Sequence, residues 1–239
     1  MGGEDSFVMM KLLEDAGVEY SALQWARTEY GKITHQHALM DLNYKYLTPK
    51  GIHRLSVYDD FTDGVFTSLY RPDIVGESAL GNPCQVGTPE GAFESILICL
   101  AENISSIAFG NEKSADQGSL YSNDMELDIN HQWMKSLEAE KSFADFIRST
   151  LVSNINLFSI LKPIHDTTIY RLFSRYPEML PFVHSCNVEK PWCKKCAKCA
   201  YVWLNLMASF PVENVNDVFK TNLFDDPDLI LSFRQLMGE

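Results

Sequence analysis

Between His184 and Cys199 the chain reads HSCNVEKPWCKKCAKC. Cys186, Cys193, Cys196 and Cys199 stand in the spacing C-x6-C-x2-C-x2-C. No other feature restricts the fold as much, because four thiolates can close a tetrahedral site on one zinc at about 2.3 Å each. Two-residue spacers let neighbouring cysteines turn toward one ion. Cys196 and Cys199 also open the helix-like run AKCAYVWL, where the positive end of a helix favours thiolates. Free buried cysteines and a single redox-active CxxC pair are the alternatives. Four cysteines crowded together, mixed with lysine and tryptophan, favour a metal. Four sulfur ligands leave no open position, so the predicted zinc is structural. Cys84 and Cys99 stand apart, so the six cysteines do not form a disulfide framework.

The 239 residues are 46% hydrophobic, enough for one large domain or one domain with an appendage. The net charge is −12, from 20 basic and 32 acidic residues. Such a surface repels phosphate backbones, so nucleic acid is an unfavourable partner and a small molecule a better one. No apolar run reaches the length of a membrane span. MGGED lacks the basic start and apolar centre of a secretory signal, which predicts a soluble, cytoplasmic protein. Nothing in the sequence fixes an oligomeric state.

Helical and strand patterns alternate along the chain. The run from Ser6 to Ala16 has helical apolar spacing and Gly17 placed to end it. THQHALMDLNYKYL predicts a second helix and LSVYDDF a strand. TPEGAFESILICLAEN predicts a helix capped by Thr88 with Pro89 in its first turn. ISSIAF, from Ile104 to Phe109, follows as a short buried strand. LEAEKSFADFIRSTLVSNI, a helix from Asp166 that stops before Pro177, AKCAYVWLNLMASF and DDPDLILSFRQLM complete the pattern, the last capped by Asp226. This alternation indicates an α/β fold with an open, mostly parallel sheet and helices on both faces. Residues 1–180 are expected to form the α/β domain, and residues 181–239 the cysteine segment with C-terminal helices.

Ligands in such sheets bind beyond the carboxyl ends of strands. Directly after ISSIAF comes a dense polar group: Gly110, Asn111, Glu112, Lys113, Ser114, Asp116 and Gln117. A second group follows, comprising Asn130, His131, Gln132, Trp133 and Lys135. Either alone reads as a solvated loop; together, at this place, they predict a site. At the other end, MGGEDS sets two glycines before a helical run, an arrangement that lets backbone N–H groups hold an anion. It is not a Walker A loop, which ends in Gly-Lys-Ser/Thr. Gly2 and Ser6 also fit the loose myristoylation pattern, but acidic Glu4 and Asp5 argue against a lipid anchor.

These motifs, in order, resemble the bacterial family of muramoyl-dipeptide epimerases within the ATP pyrophosphatases. GGEDS is similar to the family's Ser-Gly-Gly-x-Asp-Ser loop, and GNEKSADQGS to its Asn-Glu-Arg-Ser-Ala segment. INHQWMKS resembles Asn-His-Gln-Trp-Ser-Lys, and FSILKPIHD resembles Ser-Leu-Leu-Arg-Pro-Leu-Ser-Glu. PWCKKCAKC resembles Trp-Cys-x-x-Cys-Pro-Lys-Cys. The cysteine pattern is shared with cyano-deazaguanine synthase. The resemblance implies an adenine-nucleotide alpha hydrolase-like domain over 1–180, with a first strand ahead of the glycines where only Met1 stands. It implies an isomerase of peptidoglycan-precursor synthesis that uses ATP and Mg²⁺ to adenylate a terminal glutamate carboxylate and invert its α-carbon. Gly2, Gly3, Asp5 and Ser6, with Asn111, Lys113 and Ser114, would then contact the nucleotide. His131, Lys135 and Glu112 would be the catalytic candidates, with Asp5 and Glu112 as magnesium ligands. Lys113, Lys135 and Lys162 would be the main cations of the cleft. Glu4 would set a repelling charge beside the phosphates. A deazaguanine synthase-like enzyme and a non-catalytic ATP-domain scaffold or fragment are the alternatives.

Overall fold

A computed structural model describes residues 2–28, 31–58, 87–118, 120–186 and 188–239. In chain order the principal elements are α1 (Glu4–Asp15), β1 (Ser21–Arg27), α2 (Ile33–Leu42), β2 (Gly51–Val57), α3 (Gly87–Ala101) and β3 (Ser106–Phe109). They continue with β4 (Leu120–Ser122), β5 (Leu127–Ile129), α4 (Leu137–Phe146) and β6 (Asn156–Ser159). The last helices are α5 (Asp166–Phe173), α6 (Ala197–Ser209), α7 (Val212–Phe219) and α8 (Ile230–Leu236). Short 3-10 turns at Lys113–Asp116 and Trp133–Lys135 carry the two polar groups. Cys84 and the end of LSVYDDF lie outside the described residues. No described helix is long and apolar enough to cross a membrane.

The chain divides into two compact units, one of residues 1–59 with 167–239, the other of residues 60–166. In the first, β1 and β2 pair in parallel from Ser21↔Gly51 to Arg27↔Val57. Helix α1 buries Phe7, Val8 and Met10, and its acidic first turn suits the helix dipole. It ends in a Schellman turn: Val18 N–H donates to Leu13 O, Gly17 N–H to Glu14 O, and Gly17 adopts φ +68°. Phe7 stacks on Phe173, which meets Phe210 edge-on. Trp203 packs against Phe224 and Phe233, and Trp192 stacks on Phe219.

In the second unit, β3 and β6 pair in parallel, while β4 and β5 form an antiparallel hairpin. The core here is Ala92, Ile96, Cys99, Ile107, Ile147, Ile155 and Leu157. Helix α4 is capped by Ser136, whose Oγ accepts the Ala139 N–H.

The molecule is thus α/β with parallel strand pairs, but the described strands form three two-stranded sheets, not one open sheet. Several elements differ from expectation. ISSIAF is a strand only from Ser106, and of its residues only Ile107 is buried. The helix from Leu137 does not run to Ile155: it ends in a wide turn closed by Val152 N–H to Ile147 O, and β6 follows. Helix α3 starts at Gly87, so Thr88 lies inside its first turn. Asp226 caps a 3-10 turn, Pro227–Leu229, which leads into α8. NYK after α2 is a 3-10 turn.

Candidate functional site

The four clustered cysteines converge. Their sulfurs all lie within 4.8 Å of one another. Cys186 and Cys196 are 3.8 Å apart, as are Cys193 and Cys199. A tetrahedron of thiolates at about 2.3 Å from zinc has edges of about 3.8 Å. A disulfide needs about 2.05 Å, and no described cysteine makes one. Cys196 is the N-cap of α6, and its sulfur accepts the Cys199 N–H. Backbone N–H groups of Val188 and Glu189 point at Cys186, and that of Lys194 at Cys199. Such N–H···S contacts orient metal-binding thiolates. Hydrogen bonds from Cys196 and Cys199 hold the Cys186 thiol well below the ordinary range. Its neighbours carry the opposite shift: Cys196 is pushed up to about 11 and Cys199 is raised, each first by Cys186. Four thiolates around a divalent ion keep two negative charges. Lys190 supplies compensating positive charge beside Cys186 and Cys199. Burial pushes Lys190 down to about 8, with Cys186 opposing that shift. Soft sulfur donors at these separations fit zinc.

The glycine loop lies in the same unit. Gly2 adopts φ +132°, a region that favours glycine, and its carbonyl accepts the His184 N–H at 2.8 Å. A Cβ on Gly2 would fall 2.1 Å from His184 Nε2. Gly3 is the N-cap of α1 and brings no side chain to its first-turn N–H groups. Asp5 and Ser6 follow on that turn, half-buried. His184 is buried, which pushes it down to about 4. Its Nδ1 donates to Phe182 O at 2.9 Å, and Nε2 has no hydrogen-bond partner among the described residues.

Glu4, expected as a repelling charge beside the phosphates, is turned inward and held by protein hydroxyls. It is 2% exposed. Its Oε1 accepts the Tyr170 hydroxyl at 2.7 Å and its Oε2 the Ser185 hydroxyl at 3.0 Å. The carboxylate is an internal fastener between the loop, α5 and the cysteine segment.

The two polar groups lie in the other unit, and Lys162 joins them. Its ammonium donates to Glu112 O at 2.9 Å and to Lys135 O at 2.6 Å, and pairs with Asp116 Oδ1 at 3.0 Å. Asn130 Nδ2 donates to Ala115 O, and Asp116 accepts the Leu137 N–H. Lys113 N–H donates to Ile164 O. Lys162 is therefore a buried clip and not a cation of the cleft, a correction to its expected role. Glu112 is 9% exposed, and its carboxylate makes no hydrogen bond or ion pair among the described residues. The Lys135 side chain is half-buried; Asn111 and Ser114 are half-buried, while Lys113 and His131 are exposed.

The structure thus brings Gly2, Gly3 and Glu4 together with the cysteine segment, while Ser6 lies on the first turn of α1. Separately, it brings Asn111–Ser114 together with Asn130–Lys135. Sequence reasoning missed Ser185, Tyr170 and the clipping role of Lys162. The Lys162 signal was the buried setting of FSILKP between apolar neighbours, which leaves a lysine only internal partners.

Residues 89–160 match the family described as MurL N-terminal domain, and residues 182–239 match the family described as MurL C-terminal domain. The glycine loop falls outside both stretches. The UDP-N-acetyl-alpha-D-muramoyl-L-alanyl-L-glutamate epimerase of Xanthomonas oryzae pv. oryzae is 30% identical over 140 residues, 55% of this chain and 31% of the relative. The protein of the same name from a Micromonospora species is 30% identical over 155 residues, 60% of this chain and 33% of the relative. That of Salinispora tropica is 32% identical over 143 residues, 55% of this chain and 30% of the relative. The matches therefore cover about a third of the length of each relative. No solved structure matches.

Proposed function

Because the chain belongs to the MurL family, we propose that it is the catalytic part of an ATP-dependent epimerase acting on the terminal glutamate of a UDP-muramoyl dipeptide. One observation carries the reading: two polar segments close around Lys162, and beside it Glu112, 9% exposed as a residue, has a carboxylate that makes no hydrogen bond or ion pair among the described residues. Both segments lie within the stretch that matches the N-terminal family domain.

The α-proton of a free glutamate is hard to remove, because the carbanion would form beside a carboxylate. ATP, when bound, would supply the remedy by activating that carboxylate with release of pyrophosphate, which removes its charge. The residues of this chain do the rest. Glu112 would be the candidate to accept the α-proton, since its carboxylate makes no hydrogen bond among the described residues. Lys135 and His131 are the candidates for returning a proton on the opposite face or for contacting the adenylate. Asn111, Lys113 and Ser114 line the strand end beside Glu112 and would contact the nucleotide. The glycine loop would hold phosphates through first-turn N–H groups of α1. Asp5 and Glu112 would each be a candidate ligand for Mg²⁺, which would supply positive charge to a phosphate. Zinc would be structural at Cys186, Cys193, Cys196 and Cys199.

The test is incubation with ATP, Mg²⁺ and UDP-N-acetylmuramoyl-L-alanyl-L-glutamate, with chiral analysis of the glutamate and assay of AMP and pyrophosphate. Appearance of D-glutamate with AMP, abolished by Glu112→Gln, is the expected result. AMP release with retained L-glutamate would replace the epimerase reading by a ligase-like one. No turnover with any carboxylate would replace it by a scaffold.

A further inference from the structure

We propose that Ser185 and His184 are positioning residues for the glycine loop, and that metal at the adjacent cysteines keeps them in place. The inference rests on the reading of that loop as the phosphate holder. Three consecutive residues make the connection. His184 donates its N–H to Gly2 O, and its ring occupies the space in front of Gly2 that a Cβ would need. Ser185 donates its hydroxyl to Glu4 Oε2, and its Cβ lies 3.6 Å from the Cβ position of Gly3. Cys186 then enters the sulfur cluster, 3.8 Å from Cys196. The far side is also tied, because Lys190 Nζ donates to His184 O at 3.1 Å. Gly2 to Glu4 is therefore pinned by the strand of chain that leads into the first metal ligand.

The physical consequence follows from the sulfur spacing. Four sulfurs within 4.8 Å stay together as thiolates only around a cation that neutralises them. Without it, Cys186 separates from Cys196 and Cys199, and the backbone at 184–186 loses its anchor. The hydrogen bonds to Gly2 and Glu4 go with it. With the metal bound, the first turn of α1 is held ready for an anion before the anion arrives, which lowers the ordering cost of binding.

The test is hydrogen–deuterium exchange on the whole protein loaded with zinc, and again after chelation, read on amides of residues 4–10. Residues 137–146 of the other unit serve as the internal reference. Chelation should speed exchange at 4–10 about tenfold or more and leave the reference unchanged. Ser185→Ala, with one zinc still bound per chain, should give part of that increase, and Ser185→Thr should restore the slow rate. Unchanged exchange at 4–10 after chelation, or in Ser185→Ala, would overturn the proposal, as would a protein that takes up no zinc. ATP titration by calorimetry separates the two readings. Weaker ATP binding in the chelated protein and in Ser185→Ala supports both. Coupled exchange with no ATP binding in any state keeps the positioning role and removes the phosphate reading.

Discussion

Replacing Glu4 by glutamine, alanine and lysine should give a graded loss of stability in that order. The carboxylate is 2% exposed and accepts two hydroxyls, from Tyr170 and Ser185. Hydrogen bonds to a charged group contribute about 1.5–3 kcal/mol each, and an orphaned buried donor costs a similar amount. Glutamine keeps the shape: its carbonyl can accept from Tyr170 while its amide donates to the Ser185 oxygen, for a loss of about 1 kcal/mol. Alanine removes both acceptors and leaves the Tyr170 hydroxyl, on a residue itself 2% exposed, without this partner. A loss of about 3–5 kcal/mol follows, a large part of the total stability of an ordinary domain. Lysine adds a buried cation close to Lys190 and should cost at least as much as alanine. Urea denaturation followed by tryptophan fluorescence is a suitable assay, because Trp192 and Trp203 are buried in the same unit. A Glu4→Lys protein as stable as the parent, and binding ATP more tightly, would refute the reasoning and restore Glu4 as a mere repelling charge.

Lys162→Met should lower the stability of the 60–166 unit by about 2–3 kcal/mol, because two carbonyls and Asp116 lose a buried partner. Exchange at 113–116 and 133–135 should rise together. Gly2→Ala combines a positive φ with a clash at 2.1 Å from His184, so its melting temperature should fall by several degrees or more. Burial alone would raise the Glu14 carboxyl, but Lys11, the Thr48 N–H and Tyr20 outweigh it and hold it below the ordinary range. Its stabilisation is present above the unfolded carboxyl range, about pH 4.5, and is lost as pH falls below it. Glu14→Gln should therefore flatten the acid limb of a stability–pH curve. Cys196→Ser should cut zinc content, measured by plasma mass spectrometry, and unfold the cysteine segment.

Much of this was legible in the sequence where one physical signal dominated. The cysteine spacing, the Gly17 stop and the run AKCAYVWLNLMASF each correspond to what the structure shows locally. Strand β1 was missed because its inward positions are Ala22, Gln24 and Ala26, two small residues around a buried polar one. Gln24 is tolerated there because it donates to Asp41 and accepts from Arg54, a partner 30 residues on. Strand β6 was hidden inside an apolar run that helical periodicity also fits. The role of Glu4 was illegible, since its two partners lie more than 160 residues away. Local pattern cannot report a contact of that span. For Lys162 the apolar setting of FSILKP signals burial, but its three acceptors, 27 to 50 residues away, become visible only in the fold.

The discontinuous first unit has a consequence for biosynthesis. A ribosome makes Glu4 181 residues before Ser185, so at about 5–20 residues per second the partners are separated by roughly ten to forty seconds of elongation. Residues 60–166 can fold within that interval, but α1 must wait with Phe7 lacking its stacking partner Phe173. The nascent glycine helix is therefore a natural client for a ribosome-bound holdase, and synonymous codon changes that slow translation between Asp59 and Thr167 should lengthen its exposure.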